Sequence, residues 1–264
     1  MDAPRGMKIL LIGSTGFIGK ALGLYLENHH EVLKVSRSSD LTNIFGSKVN
    51  YDFVINCASS RLTADSFESY ESNFNYPLKF LTEINAEHWI QIESYSQLQI
   101  PMGRQDPYVI DKQRFSDYLN LKTFKNPKAY HLYLPHVFGE GDRSERLISS
   151  AIFSIVNGTA FETSRGSQFL PLLYISDAVS GIAKFIESPT QEASCLPFWY
   201  GSVKDLLDLL STRFDGFRPI FGFKSDPIDA SFPRVQFPQC VAGWQPKMQT
   251  GEFLEWVKRK CVQK

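Results

Sequence analysis

The stretch Lys8-Ile9-Leu10-Leu11-Ile12-Gly13-Ser14-Thr15-Gly16-Phe17-Ile18-Gly19 runs an apolar segment of strand length into a glycine-rich turn, and a helical pattern follows. In that setting each glycine has a physical role. Gly13 ends the strand where a side chain would obstruct the turn. Gly16 lets a pyrophosphate approach backbone at a helix N-terminus, and Gly19 lets the first helix press close to the sheet. The Gly-x-x-Gly-x-x-Gly spacing is one residue longer at the front than the usual dinucleotide fingerprint. It makes Gly13, Ser14, Thr15, Gly16, Phe17, Ile18 and Gly19 candidate cofactor contacts. The competing reading is a tight strand-to-helix turn with nothing bound.

Working outward, residues 16–28 read as an amphipathic helix and Glu31–Ser36 as a second strand. The end of that strand selects the cofactor. A carboxylate there would accept from ribose hydroxyls, whereas Ser36-Arg37-Ser38 offers a guanidinium and hydroxyl donors suited to the 2′-phosphate of NADP(H). Asp40 nearby keeps NAD(H) open, and Arg37 also reads as a solvated loop residue. The fifteen or so residues that follow leave room for one short helix near 41–47. Asp52–Ala58 is a buried parallel-type strand ending in small residues, which brings Cys57, Ala58, Ser59 and Ser60 close to any ligand. Residues 63–86 read as mainly helical, with Asn73 inside and a break or kink at Pro77. His88–Ile92 is a strand that delivers Glu93-Ser94-Tyr95-Ser96 to the carboxyl edge of the sheet.

Asp106 and Pro107 read as the N-cap and first residue of a helix. Tyr108 and Lys112, four apart, then share one face of it. Tyr130–Leu134 is a strand running into a loop at Pro135–Asp142. Helices follow over 144–157, 176–187 (opened by Ser176 and Asp177), 202–213 and 249–260, with strands at 168–175 and near 197–200. The expectation is an α/β protein with a Rossmann-type doubly wound parallel sheet and a small α+β C-terminal part. Residues 7–140 form the dinucleotide-binding core, with 168–187 returning to it; 141–167 and 188–264 form a smaller substrate-binding region.

Composition narrows the function. The 264 residues carry 28 basic and 28 acidic side chains. No basic stripe points to nucleic acid, and no polybasic cluster or long apolar run points to a membrane. Residues 1–6 read as a short tail rather than a signal peptide. Cys57, Cys195, Cys240 and Cys261 are widely spaced, as in a reduced cytoplasmic protein. The five histidines have no metal-ligand spacing, so no metal is expected.

The glycine turn, the Asp52–Ala58 strand, Ser94 and Tyr108-x-x-x-Lys112 together resemble the extended short-chain dehydrogenase/reductase family. Leu173–Val179 is similar to that family's late strand-helix junction, and Gly243-Trp244-x-Pro246 to its C-terminal signature. The resemblance implies that Tyr108 is the general acid/base. A free phenol titrates near pH ~10, so Lys112 would favour the phenolate and also hold the nicotinamide ribose. Ser94 would donate to the same substrate oxygen. Asn73 and Pro135 would help order or contact the cofactor. Ser60, Ser96, His136 and Arg143 are the candidate substrate contacts.

The chain departs from the family at two arginines, absent near Tyr133–Leu134 and near Leu170; Arg143, Arg146 and Arg165 are the available replacements. The Asp-Glu pair of the family's dehydratases is replaced by Tyr95 and Ser96, which leaves keto reduction or epimerisation. The expectation is an NADPH-dependent reductase of a nucleotide-linked 4-keto-6-deoxysugar. A 4-epimerase with bound NAD is the alternative, and a non-catalytic NADP-binding sensor the more distant one. A homodimer is expected by resemblance, through apolar faces carrying Phe74, Leu78, Phe80, Leu81, Phe115, Tyr118 and Leu119.

Overall fold

A computed structural model describes residues 6–60, 66–121 and 127–262; the expected N-terminal tail and the first residues of the 63–86 helix lie largely outside this range. Six parallel strands form the main sheet: β1 (Lys8–Ile12), β2 (Glu31–Val35), β3 (Asn50–Asn56), β4 (Asn85–Ser94), β5 (Lys128–Leu134) and β9 (Glu192–Ser194). Their spatial order is β2-β1-β3-β4-β5-β9. The chain leaves β1 for β2 on one side and returns to β3 on the other. The carboxyl ends of β1 and β3 therefore flank a topological switch point, where open α/β sheets bind ligands. Continuous apolar runs make these central strands: Ile9–Ile12 and Val54–Ile55 are fully buried, as a sheet covered on both faces requires.

Helices cover both faces. On one side α1 (Phe17–Leu26) and α7 (Ile175–Glu187) bury Leu22, Leu26, Val179, Ile182 and Phe185 against Ile9, Leu11 and Ile55. On the other side, α4 (Tyr76–Glu83) and α5 (Pro107–Leu119) bury Phe80, Leu81, Phe115 and Leu119 against Leu10, Val54 and Trp89. Asp106 caps α5 as expected, its carboxylate accepting from Val109 N–H, and Pro107 opens the first turn.

Several expectations need correction. Of the break or kink expected at Pro77, the break does not occur. From α3 (Ser66–Tyr70) the helical path passes through one wide π turn, Glu71–Asn75, into α4; Pro77 has no N–H to return to the fourth preceding carbonyl, and a locally wider turn accommodates that loss. Within the expected loop at 135–142, His136–Phe138 is a strand, β6, paired with β8 (Phe169–Tyr174). With β10 (Trp199–Ser202) these form a second, three-stranded sheet. Strand topology thus crosses the expected division of the chain three times: β6 and β8 join the second sheet, while β9, C-terminal to residue 188, closes the main one. Asp177 does not cap α7 through its side chain. Its carboxylate accepts Met248 N–H at 2.9 Å, and Trp244 Nε1 donates to Ser180 Oγ at 3.0 Å. The two late family-like segments therefore bind each other and hold the C-terminal region against α7. That region packs α6 (Leu147–Asn157), α8 (Val203–Arg213) and α9 (Thr250–Val262) around Phe138, Leu172, Leu206 and Phe253. A small two-stranded sheet pairs β7 (Ala160–Glu162) with β11 (Arg218–Ile220).

Candidate active site

The glycine turn is a cradle that side chains would fill. Gly13 has φ +81°, and a Cβ on it would stand 2.5 Å from Ala58 N. A Cβ on Gly19 would stand 2.2 Å from Gly13 O, so Gly19 is pressed on the turn's own backbone rather than on the sheet. Gly13 N–H and Ser14 N–H both donate to Val35 O, at 2.8 and 3.0 Å, which ties the turn to the end of β2. Ser14 Oγ donates to the same carbonyl, so this side chain braces the turn rather than facing the cleft. Gly16 is the N-cap of α1 and supplies no side-chain cap. The first-turn N–H groups are therefore open to an anion, as a pyrophosphate requires.

Two adjoining cavities extend from this turn. One, of about 140 Å³, is lined by Gly13, Thr15, Gly16, Ser36, Arg37, Cys57, Ala58, Ser59, Ser72 and Tyr76. The other, of about 280 Å³, brings together Gly16, Phe17, Ile18, Ser94, Tyr95, Tyr108, Lys112, Pro135, His136, Arg143 and Arg146. The first gathers the residues expected to meet the adenosine end of a dinucleotide, and the second the Ser94, Tyr108 and Lys112 set. Ser38 stands outside the first cavity, its Oγ 2.9 Å from Ser36 Oγ. Asp40, the carboxylate that keeps NAD open in the sequence, accepts from Thr42 N–H at 3.0 Å at the start of α2 (Thr42–Phe45). Burial pushes the Cys57 thiol up to about 12 despite the opposing charge of Lys112, so it is an inert wall.

Within the second cavity, Ser94 ends β4 and caps the 3₁₀ segment Tyr95–Met102. Its Oγ accepts Ser96 N–H at 3.2 Å, which leaves its own hydrogen to donate outward. Lys112 is 3% exposed. Its ammonium donates to Ile92 O at 2.8 Å and stands 4.0 Å from Glu93 Oε2. Glu93, also buried, lies within 2.8 Å of His131 Nδ1 and accepts from Ser116 Oγ. Burial opposes its charge, yet the His131 and Ser116 hydrogen bonds and the Lys112 charge hold its carboxyl below the usual range.

Two expected contacts, Asn73 and Ser96, turn away from these cavities, and a third, Ser60, lines a wider cleft. Asn73 turns inward: its Oδ1 accepts from Ser59 Oγ and Ser60 N–H, and its Nδ2 donates to Ser60 O and Ser69 Oγ. Its amide is thereby saturated, and it fixes the Ser59–Ser60 loop instead of touching a cofactor. Ser96 is fully buried and lines neither cavity. Ser60 is buried beside a third, wider cleft of about 730 Å³ that also carries Lys20, Arg37, Arg143 and Arg146. Of the replacement arginines, Arg146 reaches the site, with its guanidinium 2.6 Å from His136 Nε2 and 3.0 Å from Asp142 Oδ1. Arg165 is exposed and pairs with Asp226 away from these cavities. Tyr76, Ser72 and the Glu93–His131 pair are absent from the sequence-derived site. Only the unusual Glu before Ser94 signals the last of these.

Fold and site together define a dinucleotide-dependent α/β oxidoreductase with a Ser-Tyr-Lys set. The chain belongs to the NAD dependent epimerase/dehydratase family, whose profile it matches over residues 9–194, and is an NAD(P)-dependent enzyme of the extended short-chain dehydrogenase/reductase type. It is 22% identical to the CDP-abequose synthase of Salmonella muenchen, over 68% of this chain and 70% of the relative. It is 25% identical to the UDP-2-acetamido-2,6-beta-L-arabino-hexul-4-ose reductase of Pseudomonas aeruginosa, over 77% of this chain and 57% of the relative. UDP-glucuronic acid 4-epimerase of Bacillus cereus, solved with UDP-glucuronic acid and NAD, superposes with a TM-score of 0.79 at 17% identity, covering 97% and 99% of the two chains. Among the described residues no group of three His, Cys, Asp or Glu could hold a metal ion, and no helix is long and apolar enough to cross a membrane.

Proposed function

We propose that the protein is an NADPH-dependent reductase of the 4-keto group of a nucleotide-linked 6-deoxysugar. The observation that carries this reading is the convergence of Ser94, Tyr108 and Lys112 on one cavity with no carboxylate pair beside Ser94. The similarity to a hexul-4-ose reductase supports it. When bound, the nicotinamide supplies a hydride to the carbonyl carbon. Tyr108 donates its phenolic proton to the carbonyl oxygen, which becomes the hydroxyl of the product. Ser94 donates a hydrogen bond to that oxygen as negative charge grows on it. Lys112 keeps a positive charge beside the phenol and spends one N–H on Ile92 O, so its ammonium is held in place.

NADP(H) is favoured over NAD(H) because Arg37 lines the cavity beside the glycine turn and the end of β2, whereas Asp40 is engaged at the start of α2. His136, Arg143 and Arg146 would meet the diphosphate end of the substrate. The same reading includes a cytoplasmic homodimer. Phe80, Leu81, Phe115 and Leu119 are consumed by the core, so the pairing surface narrows to Tyr70, Phe74 and Tyr118, with exposed Phe67 and Leu121 beside them.

The test is oxidation of NADPH, and separately NADH, with a panel of nucleotide-linked 4-keto-6-deoxyhexoses. Stoichiometric loss of reduced nicotinamide absorbance with NADPH is the expected result. No oxidation with any of them, together with NAD released on denaturing the protein, would overturn the reading in favour of a 4-epimerase.

A further inference from the structure

Glu93 has no part in the chemistry described above, yet it is a buried carboxylate directly behind it. Strand alternation explains its direction. Glu93 and Ser94 are consecutive on β4, so their side chains leave on opposite sides, and Glu93 goes under α5. In the β4–β5 register Glu93 is opposite Tyr133. His131, two residues earlier on β5, shares its face. From α5, Lys112 and Ser116 point down onto the same spot. Oε1 meets His131 Nδ1 and Ser116 Oγ. Oε2 has no hydrogen-bond partner among the described residues and faces the Lys112 ammonium at 4.0 Å. His131 Nε2 lies 3.1 Å from Asn120 Oδ1, which ties the pair to the end of α5. Tyr133, opposite Glu93, has its phenol pushed up by burial and by Glu93, Glu192 and Asp117.

We propose that Glu93 is a positioning residue beneath Lys112: a fixed buried counter-charge that holds the ammonium in place and sets the pH range in which Tyr108 holds its proton. A buried lysine tends to lose its proton, because burial disfavours the charged form. A carboxylate 4.0 Å away opposes that loss. The same negative charge opposes ionisation of the Tyr108 phenol, tempering the pull of Lys112. Reduction needs both groups protonated. With Lys112 charged, taking the Glu93 charge away removes that opposition, so the phenol ionises and activity ends at a lower pH. The His131 and Ser116 contacts hold Oε1 and leave Oε2 for the ammonium, which makes this a built arrangement rather than a chance approach.

The inference about turnover rests on the reductase reading, so the test has two arms. In the first, kcat for keto-sugar reduction is followed against pH for wild type and Glu93→Gln. The alkaline limb is expected to move down by on the order of one pH unit, with the affinity for NADPH little changed. In the second, the full chain carries ¹³C at the phenolic carbon of its tyrosines, and the Tyr108 resonance is assigned by its loss in Tyr108→Phe. Its titration midpoint is expected to fall in Glu93→Gln whatever the substrate proves to be. A shifted midpoint with no keto-sugar turnover in wild type would sink the reductase reading and leave the Glu93 role standing. A folded Glu93→Gln with an unmoved midpoint would overturn the proposal, and a uniform fall in kcat without movement of the limb would say the same. Should the glutamine variant not fold, Glu93→Asp decides. It keeps the charge, so its midpoint should stay within a few tenths of wild type, and a displacement of about a full unit would refute the counter-charge role.

Discussion

Replacing Lys112 by methionine separates the structural worth of its charge from the chemistry. The substitution keeps a long unbranched stem but removes the ammonium. Three effects compete. Losing a cation 4.0 Å from Glu93 Oε2 removes about 4 kcal/mol of attraction at an effective dielectric of about 20. Ile92 O loses a charged donor at 2.8 Å, worth about 1.5 kcal/mol or more. Against both, methionine no longer carries the several kcal/mol of desolvation borne by a buried ammonium. The balance is a loss of about 2–3 kcal/mol at neutral pH, at the low end for an orphaned buried charge because His131 and Ser116 still hold the other oxygen.

The pH dependence gives a second check. In wild type the Glu93 carboxyl lies below the usual range. Its contribution is present above the unfolded value near pH ~4.3 and is lost as pH falls below it. In Lys112→Met burial meets weaker opposition, the carboxyl rises, and protonation relieves the variant on acidification. The stability gap should therefore narrow from pH 7 toward pH 4. Urea unfolding of wild type, Lys112→Met, Glu93→Gln and the double variant measures both. The double variant should recover about 1 kcal/mol or more relative to the sum of the singles. A Lys112→Met protein as stable as wild type at pH 7, or a strictly additive cycle, would refute a buried charge pair beneath the site.

Three other outcomes follow from the same geometry. Tyr108→Phe should lower kcat by roughly 10²–10⁴-fold, the usual worth of a positioned acid, with cofactor Kd unchanged in a fluorescence titration. Arg37→Ala should weaken NADPH by about tenfold or more and leave NADH alone, since one charge-assisted contact to an exposed phosphate is worth about 1.5 kcal/mol; equal losses for both cofactors would remove Arg37 from the 2′-phosphate site. Glu140 accepts from Tyr174 and Trp256 and pairs with Lys260, which together overcome burial and hold its carboxyl at about 2. Half-exposure screens that network, so Glu140→Gln should cost only about 1 kcal/mol by thermal unfolding. The deficit should be full above about pH 4.3 and fade as pH falls toward 2.

What was legible in the sequence is what local chemistry encodes. An apolar run meeting Gly13, Gly16 and Gly19 announces a strand, a cradle and a helix within twelve residues. Asp106-Pro107 marks a helix start, and a four-residue spacing aligns Tyr108 with Lys112. The missed parts depend on partners distant in sequence. Glu192–Ser194 is a strand only because β5 offers an open edge, and three residues carry no period. His136–Phe138 sits among loop-forming residues and becomes a strand by pairing with Leu172–Tyr174. Asn73 is a candidate by resemblance to a helix residue that helps order the family's site; only the fold reveals that Ser59, Ser60 and Ser69 use up its amide. Glu93 and His131 lie 38 residues apart. An acid in an apolar strand is a visible oddity, but its partner is named by strand register alone.

The distribution of charge supplies an argument that composition hides. Twenty-eight acids balance twenty-eight bases, so the molecule as a whole exerts no net pull on an anion. The wide cleft beside the glycine turn nevertheless gathers Lys20, Arg37, Arg143 and Arg146 against Glu140 and Asp142. Both acids are engaged by neighbours: Asp142 pairs with Arg146 and Glu140 with Lys260. Arg146 and Arg143 are themselves paired, with Asp142 and Glu145, so the positive charge of the cleft is local and comes chiefly from Lys20 and Arg37. Such an arrangement focuses potential where the fold leaves backbone N–H groups open, at the start of α1, while the opposite charges elsewhere prevent general stickiness to polyanions. On the proposed reading Arg146, which lines the Ser94–Tyr108 cavity, would stand in for the arginines absent from Tyr133–Leu134 and Leu170, and its hydrogen bonds to Asp142 and His136 fix the guanidinium's direction.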